Sequence, residues 1–514
     1  MTNNKNVKLS SALRALKKLQ IRHKGVVASG DLGSAHRRIL LSTGFLHQVM
    51  KGWYICADPR DGGGDSTAWY ANFWAFLSGY LSRNFGKRYC LNPEASLLMQ
   101  TGSTVVPRQV VAIAKTGGAR AISLPFDTSL LVYPDESRVP GTRIEARGLQ
   151  VYPVAEALCL VPPSFFRNKP RDAEIALGLL RDPAEVLALL LTGKGQPTAA
   201  GRLAGALRFV GRGAEADRIL STMAKAHHRV HEHNPLKIPA PSLGTARERS
   251  AYVLRIAAMW QGWRKDVIAE FPPEPGITAN TRQYLGQMQE RYAADAYNSL
   301  SIEGYQVTDA LIERVARGGW NPEATPGDKK DKDAMAARGY YEAFQAVKAS
   351  IGKVLKGQNA GEVARVDHHD WYSALFRPAV TAGIVEASQL AGYRTGPVFI
   401  RNSKHTPLPR EALLDAMEKL FGLLSSEPSA AVRAVLGHHL FVFIHPYFDG
   451  NGRIGRLMLN VMLASGGYPW TVVRMKRRAK YMDALEAASV HGNITPLARF
   501  IADEMQTPPL TIKG

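Results

Sequence analysis

Cysteine is scarce in this chain: three in 514 residues, Cys56, Cys90 and Cys159, widely spaced, odd in number and without a CxxC pair. That argues against a disulfide framework or a thiolate zinc site as the organising device. Long apolar runs are missing too. The longest, Val186 to Leu191, falls far short of the roughly 20 residues a spanning helix needs. The opening MTNNKNVKLS has no apolar signal core, so the chain reads as cytoplasmic, without a membrane partner. Acidic residues are in the minority: 44 Asp and Glu face 65 Lys and Arg, a formal charge of +21. Such an excess favours polyanions, a nucleic acid or a phosphate-rich ligand, without choosing between them. What remains is ordinary globular material, 45% hydrophobic and 21% charged, in a length that suits about three domains.

The basic excess is concentrated at the start. Residues 1–60 hold eleven Lys and Arg against Asp31 and Asp58. Leu9, Leu13, Leu16 and Leu19 mark a first helix, Val26 and Val27 open a second short element, and Ser34 caps a third that carries Arg37 and Arg38. Phe45 to Cys56, broken at Lys51-Gly52, reads as a β-hairpin. Three helices and a hairpin make a winged helix-turn-helix. This segment, with its GWYICADP ending, resembles the winged-helix domains of bacterial antitoxin-type regulators, which implies a recognition helix at Ser34 to Thr43 and DNA contacts by Arg37 and Arg38. A protein-binding winged helix with a basic solvated face is the competing reading.

Residues 61–233 read as an α+β domain without a catalytic constellation, with β-rich stretches at Val105 to Ala114 and Leu149 to Val154. TGKGQPT, Thr192 to Thr198, lacks the spacing of a phosphate loop and is a turn before a helix. In HHRVHEH, His227 and His231 fall four apart on a helical face, so metal binding stays open there beside a plain exposed cluster. A linker follows at 234–245, where Pro235, Pro239, Pro241 and Gly244 forbid a continuous helix.

Residues 246–514 read as a run of helices organised around HPYFDGNGRIGR, His445 to Arg456. An almost wholly apolar helix, Val432 to Ile444, leads into it. Pro446 and the Asp-Gly-Asn-Gly run force a tight loop, and a second helix begins near Gly452, its apolar face running from Ile454 to Met462. Arg453 and Arg456 lie in that helix's first turns, where the dipole already favours an anion, and backbone N–H groups at Gly450, Asn451 and Gly452 suit phosphate oxygens. Asp449 would be repelled by phosphate unless a divalent cation such as Mg²⁺ lay between them. His445 is the side chain here suited to proton abstraction near neutral pH.

These residues resemble the signature of the Fic family, HxFx(D/E)GNGRxxR, with Tyr447 in place of the usual Phe. The resemblance implies a mainly helical domain that transfers AMP from Mg-ATP to a protein hydroxyl. In it His445 would be the general base and Asp449 the Mg²⁺ ligand. The Gly450-Asn451-Gly452 turn, Arg453 and Arg456 would hold phosphates. SLSIEG, Ser299 to Gly304, fits the family's (S/T)xxxE(G/N) inhibitory motif, implying that Glu303 restrains the enzyme in cis by pairing with Arg456, in the bidentate manner that arginine favours. YRTGPVFIRNSKHTPLP, Tyr393 to Pro409, matches the position of the family's flap, with Val398, Phe399 and Ile400 suited to a strand that pairs with the target and Asn402 to His405 suited to a turn. Tyr481 is assigned to the nucleotide pocket.

The combined expectation is a mainly α protein that joins an autoinhibited AMP transferase to a DNA-binding module. Its substrates would be ATP and a hydroxyl-bearing target, itself included, and a homodimer is compatible with the sequence. Two alternatives stand beside it: a Fic enzyme using another nucleotide or removing AMP, and a DNA-binding regulator whose Fic half senses ATP.

Overall fold

In the computed structural model the described residues are 2–23, 25–59, 65–192, 196–236, 250–319 and 332–507. The chain is mainly helical, and it divides into two compact units. One comprises Met1–Ala258 with Phe399–Thr406, the other Met259–Val398 with Pro407–Gly514. That division falls inside the helix Ala251–Glu270, beyond the proline-rich run expected as a linker, most of which lies outside the described residues. None of the described helices is long and apolar enough to cross a membrane.

The first unit opens with the helix Thr2–His23, then strand β1 (Val26–Ala28), the helix Ser34–Ser42 and strands β2 (Leu46–Met50) and β3 (Trp53–Cys56). The sheet order is β1-β3-β2, antiparallel throughout. Sequence reading expects three helices here; the middle element is a strand. Gly25, at φ +86°, turns the chain out of the first helix, and the β-branched Val26 and Val27 pair with Ile55 and Tyr54. Val27, Leu40, Leu46 and Tyr54 share one core with Ala12 and Leu16 of the first helix. Gly33, not Ser34, occupies the cap of the second helix. The hairpin turns at Lys51-Gly52, as expected.

Next come the aromatic helix Thr67–Phe85 and a four-stranded sheet of β4 (Tyr89–Leu91), β5 (Gln109–Ala114), β6 (Arg120–Leu124) and β7 (Thr128–Pro134). Its order is β4-β5-β7-β6, with only the central pair parallel. A helical layer from Val154 to Lys225 completes the unit. HHRVHEH is not helical: the helix Gly213–Lys225 ends before it, and His227 takes φ +60°. The chain instead lies against the helix Gln196–Phe209 at Gly201 and Gly205, where a Cβ would stand 2.0 Å from the carbonyl of His231 and 2.2 Å from that of His233. Backbone packing on these two glycines sets this segment's course; among the described residues no group of three His, Cys, Asp or Glu is placed to hold a metal ion. Residues 193–195 of TGKGQPT lie outside the described residues.

Phe399–Thr406 belongs to the first unit through residues 104–106. Val105 bridges His405, Val106 N–H donates to the Lys404 carbonyl at 3.1 Å, and Thr406 N–H donates to the Thr104 carbonyl at 2.8 Å. The strand expected at Val398, Phe399 and Ile400 is absent, because those residues meet no ladder partner. Asn402, at φ +56°, supplies the turn.

The second unit has no strand among its described residues. The long helices Lys332–Leu355 and Ala360–Thr381 pack along each other, and their approach is set by Gly339, where a Cβ would stand 2.0 Å from the Leu375 carbonyl. Against both lies Asn451–Ala464, and Ala430–Ile444 packs in turn on Asn451–Ala464, so that this pair flanks the glycine loop. The short helix Tyr292–Ile302 touches Asn451–Ala464 and brings the SLSIEG stretch with it.

Candidate active site

The helix Ala430–Ile444 is buried along nearly its whole length, so no polar face competes with its packing. Ser429 starts it, its hydroxyl accepting from Val432 N–H. His445 ends it in the left-handed region, at φ +57° and ψ +60°. A residue with a Cβ pays about 1–2 kcal/mol for that conformation, and strain of this kind collects at functional positions. The imidazole Nδ1 lies 3.1 Å from the Val442 carbonyl. A carbonyl only accepts, so Nδ1 carries the proton and Nε2 keeps its lone pair in the neutral ring. Burial pushes the His445 pKa down to about 4, the Val442 bond opposes the shift, and the charge of Arg394 adds to it.

Beyond His445 the loop is held by its own side chains. Asn451 Oδ1 accepts from Tyr447 N–H at 2.9 Å, while its Nδ2 donates to the Tyr447 carbonyl at 2.8 Å. The Asn451 side chain is thus spent on loop shape, and its backbone remains for a ligand. Tyr447 stacks on Tyr372 with centroids 3.7 Å apart and shares a hydrogen bond with His369 Nδ1 at 3.0 Å. Gly450 takes φ +79°, and the next helix begins at Asn451.

Asp449 accepts from Gly450 N–H at 2.6 Å and from Arg453 at 3.0 Å. Its side chain is 62% exposed. Arg453, expected among the phosphate ligands, is buried between the rings of Tyr305 and Phe376, each centroid 5.2 Å from its guanidinium carbon. In this state it orients Asp449. A lone open carboxylate cannot enclose Mg²⁺, but it fits an ion that arrives with phosphate oxygens already around it.

Arg456 reaches both Ser299 and Glu303. Its Nε donates to Ser299 Oγ at 2.9 Å, and its Nη2 donates to the Ser299 carbonyl at 3.0 Å and to Glu303 Oε1 at 2.8 Å. The contact expected to be bidentate is therefore a single N–H to a single oxygen, with Nε and the second Nη2 hydrogen turned to Ser299. Burial works against the Arg456 charge, and the Glu303 carboxylate together with the nearby Tyr481 and Tyr340 hydroxyls more than offsets it, raising the pKa above its ordinary value. Glu303 lies directly over Gly452, where a Cβ would stand 2.4 Å from Oε1. A carboxylate thus fills the space beside the loop that suits an anion. Gly304, at φ +90°, follows the helix Tyr292–Ile302 and leaves Glu303 as its C-cap.

The structure gathers His445, Asp449, Gly450, Asn451, Gly452, Arg453, Arg456, Ser299, Glu303 and Gly304 around one loop. Tyr481 is fully buried, its hydroxyl 2.7 Å from His438 Nε2, so it supports the site from behind. Tyr305, Phe376 and His438 were not anticipated; they come from three separate helices or turns, and no motif joins them. In the first unit, Arg37 donates to the Ser29 carbonyl at 2.8 Å and to the Leu32 carbonyl at 3.3 Å, while Arg38 is exposed.

Residues 370–463 match the model of the Fic/DOC family. Among curated proteins the chain is 35% identical over 219 residues to a Drosophila virilis protein named protein adenylyltransferase Fic, covering 42% of this chain and 41% of that one. To a protein of the same name from Nematostella vectensis it is 28% identical over 230 residues, 44% of this chain and 50% of the relative. The chain therefore spans half or less of these relatives' lengths. Among solved structures it is similar to Fic-1 (residues 134–508, E274G) from C. elegans, at 18% identity and a TM-score of 0.35, over 65% of this chain and 94% of that one.

Proposed function

From the premise that the chain carries a Fic/DOC domain, we propose that it is a protein adenylyltransferase, moving AMP from Mg-ATP to a side-chain hydroxyl of a target protein and restrained by its own Glu303. One observation carries this reading: His445, Asp449 and Arg456 converge on one glycine-turned loop with Glu303 already against Arg456. His445 Nε2 takes the proton of the attacking hydroxyl as its oxygen bonds the α-phosphorus and pyrophosphate leaves. The low pKa of His445 keeps the ring neutral, hence able to accept, across the physiological range. Backbone N–H groups at Gly450 to Gly452 and the start of the helix dipole orient the phosphates. Mg²⁺, held by Asp449 and the nucleotide, would neutralise phosphate charge. Arg456 clamps the outer phosphate once Glu303 withdraws, and Arg453 keeps Asp449 in place. Phe399, Ile400 and Val398 form the surface that meets the target.

The amino-terminal module binds DNA on this reading, as a winged helix shortened by the strand that replaces its middle helix. Arg38 is then the phosphate contact, and Arg37 fixes the loop before the recognition helix.

The test uses ATP labelled on the α-phosphorus or on the γ-phosphorus. Label should reach protein only from the α position, weakly in the parent and strongly in Glu303→Gly. His445→Ala should lose about 10²–10⁴-fold of transfer while retaining ATP binding. No label from the parent or from Glu303→Gly, with ATP still bound, would favour the nucleotide-sensing regulator. Faster loss of AMP from premodified protein by the parent than by Glu303→Gly would favour AMP removal.

A further inference from the structure

Arg394 is 3% exposed, yet among the described residues no carboxylate stands within ion-pair distance of it. Burying a cation without a counter-charge is costly, so its hydrogen bonds must compensate. All of them go to backbone carbonyls. Its N–H donates to Pro446 at 2.9 Å, Nε to His445 at 2.7 Å, Nη1 to Gly396 at 2.8 Å and Nη2 to Leu408 at 2.5 Å. The first two carbonyls belong to the strained turn at which the helix Ala430–Ile444 ends, where orphan carbonyls need donors. The other two stand at the two feet of the segment 397–407. One planar guanidinium therefore joins three chain segments, and its fork fixes their directions, which a lysine ammonium cannot do.

We propose that Arg394 is a positioning residue that locks the His445–Pro446 turn to Gly396 and Leu408, the two feet of the flap, so that the base and those feet keep one geometry. This rests on the transferase reading for its effect on rate, though not for its effect on the flap. Every hydrogen bond that Arg394 makes among the described residues goes to a carbonyl of the turn or the flap feet. Its loss should therefore lower turnover and leave nucleotide affinity in place.

The experiment uses full-length Glu303→Gly protein, with Arg394→Met or Arg394→Lys added. Misplacing reacting groups by about 1 Å can cost on the order of 10²-fold, so Arg394→Met should lose about that much turnover in self-modification at saturating α-labelled ATP, with fluorescent ATP analogue binding changed by less than about threefold. Trypsin should nick the flap at Arg401 and Lys404 about tenfold faster than in the parent, since cleavage follows local opening. Arg394→Lys, which keeps the charge but can reach only some of the carbonyls, should fall between the two, and it carries the test if the methionine variant does not fold. Unchanged turnover with unchanged nicking overturns the proposal, as does ATP affinity that falls in step with turnover. If the Glu303→Gly parent takes no label, the transferase reading fails, and the nicking comparison alone decides the part of Arg394.

Discussion

Two buried ion pairs, one in each unit, have similar lengths and opposite designs. In the first unit Arg255 meets Asp172 at 2.5 Å with both side chains nearly closed, 10% and 12% exposed. Arg255 also donates to the Thr101 carbonyl, and the Thr101 hydroxyl donates to Asp172 at 3.0 Å, so each charge is enclosed by partners that have no other exit. In the second unit Arg456 meets Glu303 at 2.8 Å, but the exposures are 4% and 28%. Only the arginine is enclosed. Ser299 holds it from one side whatever Glu303 does, and the carboxylate already has water on its open side. A pair closed on both sides is a fastener; one open on the acid side can be displaced by another anion.

The largest effect that would break this contrast is on stability. Asp172→Ala should destabilise the first unit by about 3–5 kcal/mol, since it strands a buried guanidinium, as read from hydrogen exchange of peptides within 67–225. Glu303→Gly should leave the exchange of the second unit nearly unchanged. If the two substitutions cost the same, the difference in exposure has no energetic meaning.

Next comes activity. Displacing a charge-assisted contact is worth about 1.5–3 kcal/mol, so Glu303→Gly should raise the initial rate of label transfer at least about tenfold. Adding Arg456→Ala should remove that gain, because the clamp is lost with the restraint. A double variant as fast as Glu303→Gly would mean that Arg456 does not hold phosphate.

Acidity sharpens the comparison further. In the second unit burial lowers the pKa of His445 and His438 to about 4 and that of His368 to about 3. The unfolded state binds more protons than the folded one between those values and the ordinary 6.5, so this unit loses stability as pH falls from 6.5 toward 4. Asp295, raised to about 6 by burial, opposes the three histidines only in part. In the first unit burial raises Glu174 to about 7. Folding there favours the protonated form, so its contribution is present below the ordinary carboxylate pKa and fades as pH rises from 4.5 to 7. Each group supplies at most ~1.4 kcal/mol per pH unit. Exchange measured at pH 5 and pH 7 should then show the second unit weaker at the lower value and the Glu174 helix, Pro170–Leu179, relatively stronger there. Equal responses would remove burial as the cause.

The smallest effect concerns the basic start of the chain. Arg38→Ala should weaken binding to random duplex DNA a few-fold and reduce the salt slope by about one, as loss of a single phosphate contact does. Arg37→Ala should act mainly through stability, because its guanidinium is engaged with Ser29 and Leu32.

Sequence by itself determined what contiguous residues can enforce. The apolar helix before His445, the break at Pro446, the turn at Gly450 and the helix that follows are all local consequences of φ preference, a missing N–H and periodicity, and each stands where the pattern puts it. The spacing of Ser299 and Glu303 likewise places both on Arg456. Tertiary structure decided whatever depends on a distant partner. Val26 and Val27 become a strand because Tyr54 and Ile55 await them, and the histidine cluster is drawn out of a helix because Gly201 and Gly205 offer bare backbone to lie on. Val398 to Ile400 stay unpaired while His405 finds Val105. Arg453 turns to Asp449 between two rings from other elements, and Arg394 finds four carbonyls on three segments. A buried arginine announces only that it needs partners. Which ones it meets is settled by the packing that brings their backbones within about 3 Å.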